Sequence, residues 1–178
     1  MDIDTGRSSK EIVVNHDCLG LAYQSEQLFV TSGQALYVYK MDGQLVRKLF
    51  EDTTAQLTVS RCAVSNDADM IFITDKAHNR LVTLDNQGNI LATLTDVDDV
   101  MRKPEGVHVT SQGHVFVVCT GSQTVLQISH DGKSRVQTMA RNPPGISRPN
   151  CVIYHRMTQS LLVGGSDLEI TELGLDHF

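Results

Sequence analysis

At 178 residues the chain is long enough to bury a core of its own. Its 15 lysines and arginines against 21 aspartates and glutamates leave a net charge of −6, which offers phosphates no global attraction. No apolar run approaches membrane-spanning length and the first ten residues are polar, so the expectation is a cytoplasmic protein with no membrane attachment.

Residues 1–10 carry no strand pattern and are expected to be mobile. Glu11-Ile12-Val13-Val14 has the composition of a short strand. After Cys18 come the apolar runs Leu28-Phe29-Val30 and Leu36-Tyr37-Val38-Tyr39, an Asp42-Gly43 hairpin, and a run from Leu45 to Phe50. Asp-Gly between alternating apolar residues is a strong hairpin signal. The second stretch is the clearest: Cys62-Ala63-Val64, Met70 to Thr74, Leu81-Val82-Thr83-Leu84 and Ile90 to Leu94, separated by corners of Asn, Asp and Gly. Four short β-rich runs joined by tight turns read as an antiparallel meander. A third copy opens at Pro104-Glu105-Gly106-Val107 and repeats the hairpin at Asp131-Gly132. A fourth opens at Pro149-Asn150-Cys151, passes through Leu161-Leu162-Val163, and reaches only a third strand, expected over Leu168 to Leu173.

The copies keep a period. The small residue of the first run falls at Cys18, Cys62, Gly106 and Cys151, with steps of 44, 44 and 45. The large residue of the second run falls at Phe29, Phe72, Phe116 and Leu162, with steps of 43, 44 and 46, and the hairpin glycine at Gly43, Gly88 and Gly132, with steps of 45 and 44. Four strands per repeat at this period predict an all-β chain built as a β-propeller, with blades at about 16–60, 61–103, 104–148 and 149–178, the last incomplete.

Closure has two readings. In the interior repeats the fourth strand, centred on Val46, Leu91 or Val136, precedes the next small residue by 16, 15 and 15 positions, whereas Ile12 precedes Cys18 by only 6. The mismatch points to a longer propeller with further blades before Met1. The alternative is a closed four-bladed ring in which residues 11–14 complete the fourth blade.

The corner Ile73-Thr74-Asp75-Lys76-Ala77-His78-Asn79-Arg80-Leu81 resembles the NHL repeat, in which a strand ending in Asp leads through an Asn-(His)-Arg corner to an aliphatic strand and an Asp-Gly turn. Thr31-Ser32-Gly33-Gln34, Cys119-Thr120-Gly121-Ser122 and Gly164-Gly165-Ser166-Asp167 stand there in the other repeats, so the corner is complete only in the second. The whole is similar to the carboxy-terminal propeller of tripartite-motif proteins. That resemblance implies a six-bladed ring that binds protein or RNA and works as a non-catalytic scaffold, any ubiquitin-ligase chemistry residing in a RING module that has no counterpart here.

Alternation of strand direction places the linkers between repeats on one face with the corners between second and third strands. These loops are long and varied, the usual location of binding on a rigid scaffold. They carry Arg61, Lys76, His78, Asn79, Arg80, Arg102, Lys103, Arg141 and Arg148 as candidate partner contacts, against Glu51, Asp52, Asp75, Asp96, Asp98 and Asp99. Mixed charge with almost no aromatic residue favours a protein partner over single-stranded RNA. The competing reading of Asp75, Asn79 and Arg80 is that they bond their own turn and brace the next blade.

Ahead of each small residue stands a polar group, Asp17, Arg61, Glu105 and Asn150, at the expected channel mouth. Calcium-dependent propeller lactonases and gluconolactonases use Asp, Glu and Asn in such places, so a calcium-dependent hydrolase holding its ion on Asp17, Glu105 and Asn150 is the alternative to a scaffold. Arg61 opposes a dication, and the main expectation is neither metal nor other cofactor, nor a small-molecule substrate. The four cysteines lack the close pairs of zinc sites and read as packing residues. No Ser/His/Asp or Cys/His set has a spacing that the repeat can bring together.

Overall fold

The computed structural model describes residues 11–95, 98–166 and 169–175. Residues 1–10, Asp96, Asp167 and Leu168, for which expectations are stated above, lie outside the described residues. Fifteen strands and no helix make up the described chain. Blade one is β1 (Gly20–Gln24), β2 (Gln27–Thr31), β3 (Ala35–Lys40) and β4 (Leu45–Glu51); blade two is β5 (Arg61–Val64), β6 (Met70–Asp75), β7 (Arg80–Asp85) and β8 (Ile90–Thr95). Blade three is β9 (Pro104–Val109), β10 (Val115–Cys119), β11 (Thr124–Ile128) and β12 (Arg135–Arg141), and blade four is β13 (Pro149–His155), β14 (Ser160–Gly165) and β15 (Ile170–Gly174). Each blade is one antiparallel meander in strand order, with three strands in the last. The fold is a four-bladed β-propeller arc.

Packing runs front to back. Phe29 and Val38 of blade one meet Ile71, Ile73, Val82 and Leu84 of blade two. Phe72 and Leu81 of blade two meet Val115, Val117, Leu126 and Ile128 of blade three. Phe116, Val118 and Val125 of blade three meet Leu161 and Val163 of blade four. Period-2 alternation explains how one strand serves two interfaces: Phe72 points forward while Ile71 and Ile73 point back, all three fully buried. A blade with two apolar faces therefore has no solvent face at all, which is why its strands read as continuous β-branched runs.

A second element repeats at the inner edge. The hydroxyls of Thr31, Thr74 and Thr120 donate to the carbonyls of Ser60, Glu105 and Pro149, at 2.8, 3.0 and 2.8 Å. Each bond ties the end of one blade's second strand to the chain entering the next blade. The approach there is close: a Cβ on Gly20 would lie 3.1 Å from the Arg61 Cα, and one on Gly106 2.9 Å from the Cys151 Cα.

The structure shifts one of the expected alignments. Cys18 precedes β1 and is exposed, and the register pairs Gly20 with Thr31 as it pairs Arg61 with Thr74, so Gly20 and Arg61 are the equivalent inner residues. Cys62 points back onto Phe29, its thiol pushed up to about 12 by burial. Cys151 lies on the forward face of blade four and is exposed; Cys119 is buried. All four are free thiols. An irregularity between Val117 and Cys119 offsets blade three by one residue, and a constant period hid it.

The arc does not close as a four-bladed ring. Inner strands pack as β1 on β5, β5 on β9 and β9 on β13, and β13 makes no comparable contact with β1 among the described residues. Residues 11–14 do not pair with β15; Ile12 instead lies against the Gly43 hairpin of blade one. Each end accordingly exposes apolar residues, Leu21 and Tyr23 on blade one at 64% and 58% and Ile153 and Ile170 on blade four at 54% and 74%; the outer strands of the interior blades expose others, such as Ile90 and Val136.

Two measurements check this packing. Phe72→Ala is expected to cost about 3–5 kcal/mol in urea unfolding, as for buried aromatic residues generally, while Leu162→Ala at the same repeat position on the open end costs under about 1 kcal/mol in dilute protein. His108 points forward from β9 toward blade four, and burial holds its pKa below the ordinary histidine value. A histidine depressed in the native state is protonated first in the unfolded chain, so stability is full above the unfolded value of about 6.5 and falls as pH drops below it. His108→Gln should flatten the fall of the unfolding midpoint over this pH range.

Candidate interaction face

The linkers and the second-to-third corners do lie on one face, and most of their charges are satisfied internally. Asp75 ends β6 with no exposure. Its Oδ1 accepts the His78 N–H at 3.0 Å, and its Oδ2 accepts Arg80 Nε at 2.5 Å and meets His78 Nδ1 at 2.8 Å. Arg80 then reaches into the linker from blade one, where Nη2 donates to Asp52 Oδ2 at 2.8 Å. Hydrogen bonds from the Thr54 hydroxyl and amide, with the charge of Arg80, hold the Asp52 carboxyl below its ordinary value. Asn79 adopts the left-handed conformation at φ 54°, which Asn tolerates, and its Oδ1 accepts the Lys103 N–H at 2.7 Å from the linker to blade three. The corner thus joins three successive blades. Asp52, Asp75 and His78 place possible ligand atoms within 4.8 Å of one another, but the Arg80 guanidinium already bridges the two carboxylates.

The channel-mouth residues separate. Glu105 Oε2 accepts Lys76 Nζ and the Thr120 hydroxyl, both at 2.9 Å, and its Oε1 lies 4.0 Å from Arg61 Nη2. Burial alone would raise this carboxyl, yet the Lys76 and Thr120 hydrogen bonds and the two nearby cations prevail and hold it below its ordinary value. Asp17 stands before β1, its carbonyl meeting His16 Nδ1 at 2.7 Å, and Asn150 donates to Ser166 Oγ at 3.5 Å. Of the four residues only Arg61 and Glu105 meet.

The remaining cations cluster toward blades three and four. Arg102 is exposed and lies 3.6 Å from Asp99. Lys103, Arg141 and Arg148 are exposed, and their charged ends have no ion-pair partner among the described residues. Beside Arg141 and Arg148 the linker between β12 and β13 borders an open depression of about 770 Å³ lined by Pro143, Pro144, Ile146, Ser166 and Glu169. The threonine relay escaped the sequence reading, although its Thr at the end of the second run in three repeats was a visible signal.

No family model and no curated protein matches the chain. Solved structures do. The computationally designed Ika4 protein is 11% identical, with 95% of this chain covering 100% of that one at a TM-score of 0.68. A chain of the nidogen/laminin complex is 16% identical over 84% of this chain and 57% of its own, at 0.68. Virginiamycin B lyase from Staphylococcus aureus is 14% identical over 89% of this chain and 55% of its own, at 0.65. The chain therefore spans little more than half the length of the last two. At such identities the likeness is one of fold, and it agrees with the propeller read from the packing. Among the described residues no helix is long and apolar enough to cross a membrane.

Arg80 can be tested directly. Arg80→Met leaves a fully buried carboxylate without its guanidinium partner and should lower unfolding stability by about 2–4 kcal/mol. Adding Asp75→Asn should recover part of that loss in a double-mutant cycle.

Proposed function

We propose that this chain is a non-catalytic, NHL-type propeller scaffold that recognises an acidic segment of a protein partner on its long-loop face, around Lys103, Arg141 and Arg148. One observation carries the reading: Arg61, Lys76 and Arg80 are engaged with carboxylates of their own chain, whereas these three cations are exposed and unpaired. An exposed cation that bonds nothing in its own fold is the kind of group a partner's carboxylate meets without breaking an internal pair. His78 and Asn79 are likewise committed to the corner, so the partner-facing set narrows from the nine residues first singled out. The NHL assignment rests on the Asp75, Asn79 and Arg80 corner, whose bonding across three blades gives that motif a physical role.

Protein is favoured over RNA by the location of the aromatic residues. The four tyrosines lie in β1, β3 and β13, and base recognition on a sheet or groove ordinarily needs aromatic rings at the binding surface. A non-catalytic role is supported by Glu105, a central carboxylate of the channel mouth, being bound to Lys76 and Thr120.

The test is fluorescence anisotropy with a labelled oligoglutamate peptide and, in parallel, oligouridine. Binding of the peptide that weakens with salt and is lost in Lys103→Glu/Arg141→Glu/Arg148→Glu is expected, with oligouridine bound no better by the parent than by the variant. Peptide binding unchanged in the triple variant, or loss of binding only for oligouridine, would overturn the proposal.

A further inference from the structure

The two open ends of the arc are both apolar. The backward face of blade one carries Leu21 and Tyr23, exposed, Leu28 and Tyr37, half-buried, and Val30 and Tyr39, buried, in the positions where blades two to four present the residues that receive the preceding blade. The forward face of blade four presents Cys151, Ile153, Leu162, Gly164 and Ile170, which line an almost wholly apolar hollow of about 180 Å³. Leu162 stands there as Phe72 and Phe116 stand in the interior blades.

Residues 11–17 add a more specific match. Ile12, Val14 and His16 are half-buried while their neighbours are exposed, an alternation of period 2 in an extended segment lying on blade one. His16 stacks on Tyr37 at 4.0 Å between ring centroids and meets the Tyr39 hydroxyl at 2.7 Å. At its other end the segment lies on the hairpin of blade one. The hairpin glycine of blade two lies against the outer strand of blade one, since a Cβ on Gly88 would come within 2.2 Å of the Leu49 carbonyl. The equivalent glycine of blade one, Gly43, lies against Ile12, at 3.2 Å. Ile12 therefore meets the hairpin of blade one as Leu49 of the outer strand of blade one meets the hairpin of blade two, whereas the hairpin glycine of blade three, Gly132, lies against Thr83 of β7. Blade four, for its part, has three strands, and the outer edge of β15 has no partner among the described residues.

We propose that two copies of this chain close head to tail into one ring, blade four of each docking on blade one of the other, with residues 11–17 of one copy completing the outer edge of the other's blade four. Two fours make eight blades, within the range that propellers adopt. The interface is heterologous but closes after two copies, so it occurs twice and leaves no open end. Pairing at the β15 edge adds main-chain hydrogen bonds to the apolar contact, as in strand addition generally.

The experiment is sedimentation equilibrium on the full 178-residue chain and on two exposed-face variants, Ile153→Asp on blade four and Tyr23→Asp on blade one. The parent is expected at twice its 19.6 kDa mass by about 100 μM, and each variant alone at the monomer mass with an unchanged circular dichroism spectrum. An equimolar mixture of the two variants should regain a dimer, because one of its two possible contacts is intact on both sides. Iodoacetamide labelling of Cys151 should slow with rising concentration of the parent but not of Ile153→Asp. A parent that stays monomeric, one that grows into a ladder of larger polymers, or a Tyr23→Asp variant that remains dimeric because blade four pairs with blade four would each overturn the proposal.

Discussion

The forward face of each blade must be buried by the back of the next, and most of this structure follows from that requirement. A meander of short strands is apolar on both faces, so it cannot fold alone and cannot end without exposing one face. Phe29, Phe72 and Phe116 fill the three complete interfaces, and the hydroxyls of Thr31, Thr74 and Thr120 fix the distance between blades by bonding the chain that enters the next one. Where the succession stops, at Leu21 and Tyr23 on one side and Ile153 and Ile170 on the other, the same residue types are exposed.

The charged corner of blade two follows the same logic by polar means. A carboxylate as buried as Asp75 is tolerable because Arg80, His78 and its own turn satisfy it, and Arg80 is held in turn by Asp52 from the preceding linker. Asn79 passes the connection on to Lys103. Electrostatics here therefore orient consecutive blades and consume most of the cations on the long-loop face. What is left over, Lys103, Arg141 and Arg148, is exposed with no ion-pair partner among the described residues.

The propeller was legible because side-chain alternation and period are local properties of the sequence. The Phe29, Phe72, Phe116 and Leu162 positions align in space as they align in number, because the pairing of second with third strand is unbroken in every blade. The cysteine landmark failed where spacing stops reporting register. Cys18 and Cys62 are 44 residues apart, yet Gly20 is the residue that meets blade two, and the irregularity beside Cys119 shifts blade three again. The ring of Asp17, Arg61, Glu105 and Asn150 inherited that error, and only the Arg61 and Glu105 pair formed. The course of residues 11–14 was also beyond reach, since their composition fits a strand equally well on blade four or against blade one, and only tertiary packing on Gly43 decides.

Amide hydrogen exchange at low protein concentration tests the front-to-back account most directly. If burial between neighbours sets local stability, amides of β6 and β10, in the middle of the arc, exchange slowest, and those of β15, at its open edge, exchange fastest among the strands. Protection of Ile170 to Gly174 equal to that of Met70 to Asp75 in dilute protein would contradict it, because the edge would then be covered within a single chain.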